Sequence, residues 1–215
     1  MNAVEVKFGE WIEKGFNLYK ANFGLLFLAS LVGGILSVVS FLILSGPMMA
    51  GMILICLKLH DRETPRPEIG TLFRGFDFFL QSILFVGVWS LALFVVQGVL
   101  TLFPCIGQLA GICLSIAAWT FLIFGLFLIV DRQMDFWPAS VESFNVVKTN
   151  FWPFLGLSFI AGIIGSLGAI LCGIGIVLTL PIYYCIITAA FREVFSGSGR
   201  PAAFTPVLSK LSDEQ

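Results

Sequence analysis

Charge is what this chain has least of, and its absence is organised. Only 12% of the 215 residues are Asp, Glu, Lys or Arg, about half the share usual in a soluble domain. Three long stretches hold none: Phe23–Leu57, Phe78–Val130 and Thr149–Phe191. A charge at the bilayer centre costs roughly 2.5–3.5 kcal/mol on insertion scales. About 18 apolar residues already suffice for one crossing. Uncharged runs this long exclude an ordinary soluble domain and read as membrane.

Other absences remove function classes. The net charge of −1 supplies no basic field, so nucleic acid is not an expected partner. Five Cys occur without Cys-x-x-Cys spacing, which argues against a zinc site or a thioredoxin-like motif. There is no Asn-x-Ser/Thr sequon and no Gly-x-Ser-x-Gly nucleophile motif. The charge-free stretches contain no carboxylate or histidine for a proton relay. No catalytic, cofactor-binding or metal-ligating set is expected. Met1–Asn22 lacks a compact apolar core and a small-residue cleavage site, so it does not read as a signal peptide.

What is present is apolar. The chain is 58% hydrophobic with mean hydropathy +0.99, and it carries 23 Phe and 22 Gly. A crossing helix needs about 20 residues. The second and third stretches are each long enough for two, with turn chemistry at Phe103-Pro104-Cys105-Ile106-Gly107 and Cys172-Gly173-Ile174-Gly175. The first stretch is broken by Ser45-Gly46-Pro47, and Pro47 suits the first turn of a new helix. A re-entrant hairpin is the competing reading there. Three hairpins give six passes: about 23–45, 47–62, 79–103, 106–130, 151–171 and 175–195. Pro181 falls inside the last pass or at its start. All 12 Lys and Arg then lie on one side with both termini. The positive-inside rule makes that side cytoplasmic.

Each hairpin follows a segment with helical periodicity. The first puts Phe8, Trp11, Ile12, Phe16, Tyr19 and Phe23 on one face. The second aligns Ile69, Leu72, Phe73, Phe76 and Leu80, and the third Trp137, Val141, Phe144, Val147 and Phe151. Beside a membrane such helices lie flat at the interface. The alternative is that they extend the spans and pack on one another.

Phe16–Phe23 (FNLYKANF) resembles Phe144–Phe151 (FNVVKTNF), five of eight positions being identical at an offset of 128. Both copies open a charge-free hairpin. Pro47 and Lys58 then match Pro181 and Arg192, and Asp61-Arg62 matches Asp131-Arg132 at the hairpin exits. The unit is lead-in helix, span, turn, span and charged exit, used three times over about 4–63, 66–132 and 135–195. Two passes per unit make the repeats parallel rather than inverted.

The run of Ser45-Gly46-Pro47, Lys58, LFRGFDFF, SFNVVKTNFW and LPIYYCIITAAFREV resembles a family of uncharacterised bacterial integral-membrane proteins. These are similar to the membrane domain fused to some glycerophosphodiester phosphodiesterases. The chain has no hydrolase domain, so the resemblance implies fold and location and carries no activity.

Candidate polar sites are few. His60 beside Asp61 has the makings of a base, or is a solvated residue at a helix exit. Gln97, Gln108 and scattered Ser and Thr either bond neighbouring helices or line a path. Gly107-x-x-x-Gly111 and Ser158-x-x-x-Gly162-x-x-x-Ser166 are faces that permit close helix approach. Cys105 and Cys172 fall in extracytoplasmic turns where a disulfide is allowed, or are small apolar residues. Lys58, Arg62, Arg74, Arg132, Lys148 and Arg192 are candidate lipid headgroup contacts. Residues 196–215 read as a disordered cytoplasmic tail.

The expectation is an all-α, polytopic transmembrane helical bundle with a single membrane domain over residues 1–195. Its localisation is the inner membrane of a bacterium, and its role is non-enzymatic. It organises the bilayer or partner proteins, or binds lipid at the cytoplasmic leaflet, alone or as a homo-oligomer. One alternative is a transporter or channel for an uncharged or amphipathic solute. The other is a membrane enzyme that gathers His60, Asp61, Asp131 and Arg132.

Overall fold

A computed structural model describes residues 8–40, 43–103, 106–166, 168 and 174–195. Among these residues all regular secondary structure is helical, with no strand. In chain order the helices are α1 (Phe8–Ala21), α2 (Phe23–Val39), α3 (Ser45–His60) and α4 (Gly70–Phe73). A 3₁₀ turn, Arg74–Phe78, leads into α5 (Phe79–Leu100). Then come α6 (Ile106–Phe121), α7 (Gly125–Arg132), α8 (Phe136–Thr149), α9 (Phe151–Ser166) and α10 (Ile174–Phe195).

The helices sort into a packed centre and an apolar rim. On α3, 11 of 16 residues are buried, and Gly125–Val130 of α7 are buried without exception. Tyr184–Phe191 of α10 complete the centre. A helix that is apolar all round belongs in such a place. Around it, α5 buries only Ser82 and Phe85, and α6 only Gly107, Gly111 and Thr120. Their outer faces present Leu91, Phe94, Leu109 and Ile112. A soluble protein rarely exposes a continuous apolar surface of this kind. The long apolar helices mark a membrane-embedded protein.

Three helical runs are long and apolar enough to cross a bilayer, and five are if each bent helix pair is one span. Helix α3 has 16 residues, or about 24 Å at 1.5 Å per residue. Helix α3 is thus a shorter apolar helix, and three to five candidate spans stand among the described residues where six passes were expected.

Two bends set the shape of the charged end. Helix α1 meets α2 at 88°, and α8 meets α9 at 109°. The pivots are Asn22 and Asn150, with φ of −129° and −136°. Both N–H groups close the preceding helix, Asn22 onto Tyr19 and Asn150 onto Val147. Both carbonyls start the next one, accepting from Leu26 and Phe154. The middle lead-in differs. Its short α4 and 3₁₀ turn form one run with α5, Gly70–Leu100, without a bent pair.

Several expectations need adjusting. Helix α2 ends at Val39 and α3 begins at Ser45, so Pro47 lies in the first turn of α3 as expected, while Ser45-Gly46 belongs to that helix and not to the one before. There the Leu44 N–H donates to the Ser40 hydroxyl at 3.2 Å. Pro181 lies inside α10 rather than at its start, so it does not occupy the place that Pro47 has in α3. Pro181 has no N–H to donate to the preceding turn, and in that turn the Leu178 carbonyl accepts from the Tyr19 hydroxyl at 2.9 Å. The outward stripe expected of α1 is split. Trp11, Gly15 and Tyr19 are buried, while Phe16 and Phe23 are exposed. On α8 the buried face is Ala139, Ser143 and Val147, and Trp137, Val141 and Phe144 face outward. Gly107 and Gly111 do admit α5 closely: a Cβ on Gly111 would meet Gln97 Oε1 at 2.2 Å. One on Gly162 would meet nothing within 4 Å.

Packing substitutes here for the hydrophobic effect, which lipid largely removes between helices. Phe124, between α6 and α7, packs edge-on to Phe154 at 5.4 Å and Phe195 at 5.7 Å. Such pairs contribute about 0.5–1.5 kcal/mol each beyond their area. The broken backbone beside Phe124 is repaired from α8. Ser143 Oγ donates to the Phe121 carbonyl at 2.7 Å and accepts from the Phe124 N–H at 3.2 Å.

Candidate functional site at the charged end

The exits of the three hairpins converge on one guanidinium. Asp61 follows the last turn of α3, Asp131 sits near the end of α7, and Arg192 lies in the last turn of α10. Arg192 Nη2 donates to Asp61 Oδ2 at 2.5 Å, and Nη1 donates to Asp131 Oδ1 at 2.7 Å. All three side chains are only 21–23% exposed. Burial alone would raise the Asp61 pKa. His60 and Arg192 outweigh it and hold Asp61 below the usual carboxylate range. A carboxylate held ionised in this way is a poor proton donor. The arrangement is a clamp on the ends of the three central helices.

A second layer surrounds the clamp. Arg132 Nη1 donates to Glu142 Oε1 at 2.9 Å, and its guanidinium lies 5.0 Å from the centre of the Phe195 ring. Glu193 Oε2 accepts from Trp11 Nε1 at 2.9 Å and from Lys14 at 3.3 Å, so α1 is latched to α10. The Glu193 bond raises the Lys14 pKa against slight desolvation. Gln81 bridges α5 to α8: its Nε2 donates to Asp135 at 2.6 Å, and its Oε1 accepts from the Phe136 N–H at 2.9 Å.

The structure brings together part of the cluster expected of an enzyme. Asp61 and Asp131 share Arg192, and His60 Nδ1 lies 3.5 Å from Asp61 Oδ1, an ion pair only when the imidazole is protonated. Arg132 turns to Glu142 instead. Among the described residues no three His, Cys, Asp or Glu side chains gather as they would around a metal. Several of the hydroxyls considered for a solute path are occupied by backbone. Thr120 donates to Ile116, Ser37 to Gly33, Ser40 to Ser37 and Ser166 to Ile163.

The candidate headgroup contacts divide into two groups. Lys58 pairs with Glu63 at 2.9 Å, Arg74 with Asp77 at 3.6 Å, Arg132 with Glu142, and Arg192 with the two aspartates. Lys148 lies 5.9 Å over the exposed Phe144 ring, and Arg62 is exposed. Neither forms an ion pair among the described residues. Cys105, Cys172 and the tail lie outside the described residues. A different thiol pair is present: Cys56 and Cys185, both buried, have sulfurs 3.9 Å apart.

Two open hollows flank the clamp. The larger, about 530 Å³, lies between the α1–α2 bend and the segment that leads to α4. The smaller, about 300 Å³, is bordered by Gln81, Gln133 and Asp135. Sequence reasoning did not single out Glu193, Gln81 or Ser143. Their partners are distant in sequence, and no local motif announces them.

No family model, curated protein or solved structure matches this chain.

Proposed function

We propose that this is a non-enzymatic, multi-pass inner-membrane protein that binds phospholipid at the cytoplasmic leaflet through its charged end. Both termini are cytoplasmic in this reading, because an even number of passes puts every Lys and Arg on one side. The proposal includes kinship with the bacterial membrane family that the sequence resembles, and a threefold repeat of the hairpin unit.

One observation carries the reading. The two bends bear the same device at equivalent positions. Lys20 lies 4.4 Å over the Phe16 ring, and Lys148 lies 5.9 Å over the Phe144 ring. Phe16 and Phe144 are 41% and 42% exposed. A cation above an outward aromatic, on a helix turned across the end of a bundle, suits the headgroup layer. Buried positions also correspond at the offset of 128: Trp11 with Ala139, Tyr19 with Val147 and Leu26 with Phe154. The internal clamp supports the same division of labour. Its one cation, Arg192, is held by two carboxylates, and the cations at the rim remain for lipid. An enzyme or a transporter has less support, since the central carboxylates are clamped and the hydroxyls of Ser37, Ser40, Thr120 and Ser166 bond to backbone.

The test is purification in mild detergent followed by mass spectrometry of retained lipid. Phospholipid should stay with the protein and fall when Lys20 and Lys148 are both changed to Ala. Protein that retains no phospholipid of any kind contradicts the reading.

A further inference from the structure

We infer that the larger hollow is a seat for one phospholipid whose headgroup carries both a phosphate and a primary ammonium, the ethanolamine type. The inference rests on the lipid-binding reading above and gives it a place and a ligand class. The hollow is lined by Asn22, Leu25, Leu59, Arg66, Glu68 and Ile69, among others.

Its chemistry is two-signed. Arg66 and Glu68 flank Pro67 in a non-helical segment, and Pro67 is buried while both neighbours are exposed. In an extended chain residues i and i+2 point the same way, about 6.6 Å apart. Both line the hollow, so it offers a cation and an anion together. Among the described residues neither forms an ion pair. This sets them apart from Lys58, Arg74, Arg132 and Arg192, whose charges are satisfied within the chain. A guanidinium matches a phosphate geometrically. A carboxylate beside it matches an ammonium that can donate N–H bonds, and Asn22 offers a neutral polar group at the bend. An anionic headgroup would meet Glu68 as a like charge. A choline headgroup has no N–H to give.

The floor is apolar. Leu25, Leu59 and Ile69 form it, and Leu25 shares a face of α2 with Leu28, which is exposed on the apolar surface of the bundle. An acyl chain can leave the hollow along that face without crossing a charged group. This continuity favours a lipid over a free headgroup ester.

The test uses the full chain in detergent with three phospholipids of identical acyl chains and ethanolamine, glycerol or choline headgroups. Bound lipid is read by native mass spectrometry. Ethanolamine lipid should be retained in preference to the other two by roughly fivefold, the worth of one solvent-exposed ion pair at its upper end. Glu68→Gln should erase the preference over the glycerol headgroup, and Arg66→Ala should weaken retention of all three at this seat. Arg74→Ala, outside the hollow, should change nothing. Equal or better retention of the glycerol lipid by the wild type overturns the inference, as does a preference that survives Glu68→Gln. Displacement by soluble phosphoethanolamine at matched concentration overturns the assignment to a lipid. Those outcomes leave lipid binding itself intact, whereas retention of no phospholipid removes both readings.

Discussion

Replacing Arg192 by Gln is the most informative single change to the fold. Arg192 joins the ends of α3, α7 and α10 through Asp61 and Asp131. Without it two carboxylates, 21% and 23% exposed, lose their shared counter-charge. Removing one partner of a fully buried pair costs about 3–5 kcal/mol, and an exposed pair contributes about 0–1. At this partial burial the loss should be about 2–3 kcal/mol. For a chain of this size that lowers the melting temperature by roughly 5–10 °C. Thermal unfolding in detergent, followed by tryptophan fluorescence, measures it. Asp61→Asn, Asp131→Asn and Arg192→Gln together should recover most of the loss, because no uncompensated charge remains. An unchanged melting temperature in the single variant would refute the clamp. So would a triple variant no more stable than the single one.

The remaining expectations concern pH, docking and depth. Asp61 has a folded pKa below its unfolded value, so its contribution is present above the ordinary Asp pKa, near 4, and is lost as pH falls through the lower folded value. Melting temperature should therefore drop more steeply below about pH 4 in the wild type than in Arg192→Gln, and parallel curves would exclude Asp61 as the cause. A Cβ on Gly15 would meet the Ile186 backbone at 2.6 Å, whereas one on Gly9 would meet nothing within 4 Å. Gly15→Val should red-shift the emission of a protein whose sole tryptophan is Trp11, Gly9→Ala should not, and equal spectra would count against the docking of α1 on α10. Brominated lipids should quench the exposed Trp137 and Trp152 but spare the buried Trp11, and quenching of Trp11 to the same extent would contradict its inward placement.

Much of the architecture was legible because one large energy term writes it locally. The cost of a charge in hydrocarbon keeps charged residues to the lead-in segments, the exits and the termini, and the long apolar helices follow from that. The bends at Asn22 and Asn150 were foreshadowed by the FNLYKANF and FNVVKTNF pair. Which face of α1 turns inward was not legible. Trp11, Phe16 and Tyr19 are all aromatic, and the choice depends on Gly15 fitting against the Ile186 backbone. Pro47 in the first turn of α3 was legible, but the start at Ser45 was not, because Ser45-Gly46-Pro47 is as good at starting a helix as at ending one. The clamp was only half visible. The exits looked alike, but the pairing of Arg192 with residues 131 and 61 positions away depends on how α3, α7 and α10 pack. Hydropathy carries no information about that.

The proposed function requires the charged end of this membrane bundle to face the cytoplasm. A single cysteine replacing Arg66 in a cysteine-free chain tests it directly, with an impermeant thiol reagent applied to intact cells and to lysed ones. Labelling only after lysis is the result the account predicts. Labelling in intact cells would contradict the orientation, the pairing of spans into hairpins and the assignment of the rim to the cytoplasmic leaflet.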